Sequence, residues 1–129
     1  MAEQLAGPAF PVHVDERELA EDLSHATEAG RAAIKPLIEQ LKGDGVPVAW
    51  LRRCDSEARD GTRLPGCVKI YIPQPAGQWG AVFLGGTLSD TPTVFLLAVG
   101  DRHPGGPWKP SVYETAHRRL HRPGRGSTA

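Results

Sequence analysis

Between residues 15 and 42 the apolar positions recur at helical spacing. Leu19, Leu23 and Ala26 follow "DERE", in which Asp15 reads as an N-cap with Glu18 three residues on. A second stripe carries Ala33, Ile34, Leu37, Ile38 and Leu41 and ends before Gly43. Pro36 sits inside that stripe. An interior proline removes a hydrogen bond and crowds the preceding turn, so the pattern predicts a kink near residue 32 or a fresh start at Pro36. Residues 16–42 read as an antiparallel helical pair. Upstream, "FPVHV" (10–14) predicts a short strand, held by Pro11 to an edge or a strand start.

From residue 67 the period changes to two. In "CVKIYIP" the residues Val68, Ile70 and Ile72 share one face, which reads as core, and Cys67, Lys69 and Tyr71 share the other. "WGAVFLGG" predicts the next strand after the turn "QPAGQ", and "TVFLLAVG" a third after "TLSDTP". The third run is apolar on both faces, as befits a strand covered on both sides. A loop, "DRHPGGPWKP", leads to the helix "SVYETAHRRLH". Ser111 and Glu114 form its capping box, Val112, Ala116 and Leu120 its buried stripe, and Pro123 and Gly124 its end. Between the halves, "VPVAWL" is an extra strand or an anchored loop, and "RRCDSEARDGTRLPG" a polar connection. The order predicts one α+β domain over 10–121, with a loose tail at 1–9 and a basic tail at 122–129.

Composition narrows this little. The chain has 129 residues, enough for one modest core. No apolar run approaches the roughly 20 residues of a membrane helix, and the start lacks a signal-peptide pattern, so a cytoplasmic location with no membrane partner is the expectation. Cys54 and Cys67 make no disulfide framework and no zinc site. They read as buried thiols, with a pairing across the 54–67 loop left open. The net charge is zero, yet residues 1–45 hold 4 Lys/Arg against 9 Asp/Glu and residues 46–129 hold 11 against 6. Such a division suits an anionic partner for the second half, or an ordinary solvated surface.

Four side chains carry candidate chemistry. Lys69 is either an exposed lysine on a half-solvated sheet or a phosphate ligand and proton acceptor. Arg102 follows the third strand, where a guanidinium would be placed to clamp a phosphate or would be solvated beside Asp101. Tyr113, in the first turn of the last helix, reads as packed with its hydroxyl at the surface. Tyr71 shares the Lys69 face. His117 and His121 have the i, i+4 spacing of metal ligands, but no acidic or cysteine partner stands near them in sequence, and a solvated basic helix face explains both. No metal or other cofactor is expected. "GGTLSD" and "PGGP" are turn glycines, since neither opens a helix as a phosphate loop would.

Taken in order, "VHVDERELAEDL", "LPGCVKIYI", "WGAVFL", "VFLLAVGDRH" and "SVYETAHRRL" resemble the RelE/ParE superfamily of bacterial type II toxins, and its RelE ribonucleases in particular. The resemblance covers roughly 10–42 and 64–120, with 43–63 and 103–110 looking like insertions. It implies a four-stranded, largely antiparallel sheet with two N-terminal helices and one C-terminal helix. It also implies a metal-independent endoribonuclease that cuts mRNA at the ribosome by attack of the ribose 2′-hydroxyl. The partners it implies are a cognate antitoxin, in a hetero-oligomer, together with mRNA and the ribosome. Lys69 matches the first strand lysine of that family, Arg102 the arginine after the last strand and Tyr113 the helix tyrosine, giving the catalytic candidates. Tyr71, His103, Arg118 and Arg119 are secondary candidates for binding RNA.

Three departures stand out, the first being a net charge of zero where the RNA-cleaving members of that family are strongly basic. Tyr71 occupies the place of the second strand lysine, and "WGAVF" offers no arginine on the next strand. Arg52, Arg53, Arg59 and Arg63, or His103, are the candidates to compensate. The alternative is a toxin-fold protein without nuclease activity, either a ParE-like gyrase inhibitor or a small interaction module.

Overall fold

Three helices form where the apolar stripes fall. In the computed structural model, which describes residues 8–53, 67–72, 79–102 and 110–120, they are α1 (Glu16–His25), α2 (Glu28–Asp44) and α3 (Val112–Leu120). Asp15 caps α1, its Oδ1 accepting from the backbone N–H groups of Arg17 and Glu18 at 3.0 and 3.2 Å. Ser111 and Glu114 close the capping box of α3 reciprocally, each accepting at 3.2 Å from the other's backbone N–H.

Helix α2 runs uninterrupted through Pro36, so the restart that the sequence allows does not occur. An interior proline costs about 3 kcal/mol. Against this, Ile34, Ile38 and Leu41 are fully buried on the same helix, each contributing about 1.5–3 kcal/mol. Burial wins. The helix also outlasts its predicted end at Gly43 and is capped by Gly45 instead, at φ 81°. A Cβ at Gly45 would lie 2.7 Å from the carbonyl oxygen of Phe10. Gly45→Ala combines left-handed strain with that collision, and is expected to cost about 1–3 kcal/mol, read as a lowered urea midpoint at unchanged m.

The strands are β1 (Ala9–Phe10), β2 (Val12–His13), β3 (Val46–Pro47), β4 (Arg52–Arg53), β5 (Cys67–Ile72), β6 (Trp79–Leu88) and β7 (Thr91–Asp101), with a 3₁₀ turn at Val48–Trp50. The predicted strand at 10–14 is therefore divided. Pro11 has no N–H to give a ladder. The chain changes partner there, β1 pairing with β3 and β2 running parallel to β7, while the Pro11 carbonyl accepts from Val94 N–H at 3.0 Å. The main sheet has five strands in the order β2-β7-β6-β5-β4, antiparallel except at β2, so β4 adds an edge to the four strands expected. The class is α+β.

The β6–β7 hairpin is longer than the "TLSDTP" loop suggested. Pairing continues to Leu88 and Thr91, and Ser89 and Asp90 turn the chain at φ 51° and 67°. A tight turn with both central residues left-handed matches the twist of the strands it joins. Further in, Val82 faces Ala98 but Phe83 faces Leu96, so Leu97 is an extra, bulged residue. The bulge resets the alternation. Leu96 and Val99 join the core under α1 and α2 with Ile70, Ile72 and Phe83, whereas Leu97 and Ala98 pack with Cys67, Val82, Val112, Tyr113 and Ala116 under α3. The sheet thus has one helical pair on one face and a single short helix on the other. The remainder of that second face, which no described helix covers, holds the candidate site.

Candidate functional site

Lys69 and Tyr71 stand on β5, two residues apart and therefore on one face. Cross-strand register sets their neighbours. Arg52 on β4 lies directly opposite Lys69, and Gly80 on β6 lies opposite Tyr71, with Gly100 of β7 beyond it. The two glycines remove the side chains that would otherwise cover this row. Arg102, just past the end of β7, lies across Gly80, where an added Cβ would meet the Arg102 Cγ and Cδ at 3.2 Å. The Arg102 guanidinium carbon comes to 4.0 Å from the centre of the Tyr71 ring.

Tyr113 closes the group from the helix side. It is 7% exposed, packed in the cluster beneath α3, and its hydroxyl accepts a hydrogen bond of 3.0 Å from Arg102 Nε. Lys69 Nζ sits between the two phenols, 5.2 Å from the Tyr113 ring centre and 5.3 Å from that of Tyr71. Arg52 joins at 4.9 Å from the Tyr71 ring. The structure therefore brings together Lys69, Arg102, Tyr113 and Tyr71, and it adds Arg52. Three cations converge on two phenol rings, and each such contact is worth about 0.5–2 kcal/mol depending on how dry it is. Among the described residues neither Lys69 nor Arg52 pairs with a carboxylate. Cations gathered on one face make it electropositive, and an arginine fork has the geometry to bind phosphate or carboxylate.

Gly80 leaves a space, and Arg102 fills it from the next strand. Tyr71 is the ring against which the cations lean.

Arg119 does not belong to this surface, which corrects its reading as an RNA ligand. It is 3% exposed and binds inward. Its Nη1 and Nη2 donate to the two carboxylate oxygens of Asp22 at 2.9 and 2.7 Å, Nη2 also donates to Glu21 Oε1 at 2.8 Å, and Nη1 to the Leu97 carbonyl at 2.7 Å. Glu18 Oε2 lies 3.9 Å from Nε. Burial opposes the charge on Arg119, but the Asp22 hydrogen bond and charge, with help from Glu21 and Glu18, raise its pKa above the usual arginine value. Its stabilising contribution is therefore complete below the ordinary arginine pKa and is lost only as pH rises through the still higher folded value. Arg118 is exposed on the neighbouring helix face. The acidic first half of the chain thus finds part of its cationic complement inside the fold, and the charge division is not wholly a matter for an external partner.

His103, Arg59, Arg63, Cys54 and His121 lie outside the described residues, as do 1–7 and 121–129. Cys67 is buried. No group of three or more metal-ligating side chains occurs among the described residues, nor is any of their helices long and apolar enough to cross a membrane.

Fold and site together define an α+β domain with a cationic, tyrosine-lined cluster between its sheet and last helix. No family model matches the sequence, and no curated protein does. Among solved structures the chain is similar to a double arginine-to-alanine mutant of the E. coli toxin RelE in the free state. The TM-score is 0.43 at 21% identity, over 88% of this chain and 99% of that one.

Proposed function

We propose that this chain is a RelE-like toxin of a type II toxin–antitoxin system, a metal-independent endoribonuclease that cuts mRNA at the ribosome and is silenced by a cognate antitoxin. The observation that carries the reading is the Arg102 Nε to Tyr113 hydroxyl bond of 3.0 Å with Lys69 beside it. These three residues were singled out by the sequence resemblance, and a single phosphodiester is the ligand that would use all of them.

In this reading the chemistry needs no bound cofactor. The ribose 2′-oxygen forms a bond to phosphorus while the bond from phosphorus to the 5′-oxygen breaks, leaving a 2′,3′-cyclic phosphate and a 5′-hydroxyl. Lys69 and Arg102 offset the negative charge that grows on the phosphoryl oxygens, a stabilisation that is large in a site already organised for it. Because Tyr113 accepts from Arg102, its own O–H points away from the guanidinium and is available to protonate the departing 5′-oxygen. The proton lost by the 2′-hydroxyl passes to solvent. Tyr71 holds the cations in place from below.

The test is induced expression without an antitoxin, followed by mapping of mRNA ends. Growth arrest with new 5′-hydroxyl ends is the expected result. Intact mRNA beside inhibited DNA supercoiling would favour the gyrase alternative, and no growth effect at all would favour an interaction module.

A further inference from the structure

Arg52 lies beside the site, and Trp50 stands two residues before it in the chain. Trp50 ends the 3₁₀ turn and is 45% exposed, one of only three large hydrophobic side chains so exposed among the described residues. Leu51, between the two, packs inward against the core under α1 and α2, and its neighbours on both sides are exposed. Arg52 then enters β4 on the Lys69 face, one strand further out, about 5 Å from β5. It leans on Tyr71 and makes no ion pair among the described residues. A burial argument explains neither. Leaving a tryptophan half in water forfeits its transfer energy, and a third cation beside Lys69 and Arg102 adds repulsion.

We infer that Trp50 and Arg52 extend the site into a single-stranded RNA-binding groove, Arg52 taking the phosphate adjacent to the one held between Lys69 and Arg102, and Trp50 stacking on an unpaired base. The chemistry of single strands calls for this pairing, because a cation tracks the backbone and an aromatic face accepts any base. The inference rests on the ribonuclease reading for its ligand class. It assigns these two residues to affinity and not to the bond-breaking step.

The experiment measures binding of the full chain to a 2′-O-methyl RNA hexamer, which cannot be cleaved, by anisotropy across a salt series and by tryptophan fluorescence. Wild type should bind with quenching of the exposed tryptophan. Trp50→Ala should weaken binding roughly 5-fold or more, while Trp50→Tyr restores most of it. Arg52→Gln should reduce the slope of log affinity against log salt by about 0.7, whereas Arg52→Lys keeps the slope. Unfolding midpoints of the four variants should match wild type, since both side chains are exposed. If Lys69→Ala weakens hexamer binding but the Trp50 and Arg52 variants bind as wild type does, the extension is wrong and the ribonuclease reading stands. A wild type that binds no hexamer overturns the groove, with the nuclease reading then decided by the mapping of mRNA ends, and one that binds normally but cuts no mRNA leaves the groove and removes the nuclease.

Discussion

Arg102→Ala should reduce the single-turnover rate of mRNA cleavage on programmed ribosomes by about 10²–10³-fold, the range seen when one preorganised donor to a developing anion is removed. Two losses combine in this variant. The guanidinium facing the phosphate disappears, and so does the donor that fixes the Tyr113 hydroxyl. Tyr113→Phe keeps the ring that packs beneath α3 and removes only the oxygen. It should fall short of the Arg102→Ala effect, and the double variant should be little worse than Arg102→Ala alone, because residues acting as one unit are not additive. Additive losses would mean that the two side chains act separately, against the role assigned to their hydrogen bond.

The second large effect is on stability. Arg119→Ala removes the cation from a buried cluster and leaves Asp22 facing the sheet without it, which for a buried pair costs about 3–5 kcal/mol. Domains of this size have about 5–15 kcal/mol in total. The thermal midpoint should drop by about 10–20 °C. Pairing Arg119→Met with Asp22→Asn should recover part of the loss, because the asparagine amide oxygen can still accept from Val99 N–H, as Asp22 now does at 3.0 Å. Urea unfolding of the single and double variants gives the coupling directly. A drop below 1 kcal/mol for Arg119→Ala would show that water replaces the guanidinium at little cost.

Most of the secondary structure could be read from the chain because the burial period changes at one place. The stripe of Ile34, Ile38 and Leu41 gave a helix, and the alternation of Val68, Ile70 and Ile72 gave a strand. What escaped were contacts between distant residues. Arg119 lies seven residues after Val112 and three after Ala116, on the buried face of its own helix, and that spacing was the available sign that it turns inward. Its partners are 97 and 98 residues away, at Asp22 and Glu21, where no local pattern points to them. The bulge at Leu97 was hidden because a continuous apolar run looks the same in either register. Arg52 was one arginine among four in a polar segment until the register of β4 set it opposite Lys69.

The Asp22–Arg119 pair has a consequence beyond helix placement. Strand β2 covers β7 only at Val94 and Phe95, so among the described residues the β7 backbone further along has no neighbouring strand on that side. Asp22 takes the Val99 N–H and Arg119 takes the Leu97 carbonyl, two side chains occupying hydrogen-bonding positions that another strand would use. An uncovered run of β7 is rich in valine and leucine and would be a template for pairing with a second molecule. The clamp therefore also guards against self-association. Variants that open it should fail in the cell by entering inclusion bodies at temperatures where the monomer, kept dilute, is still folded.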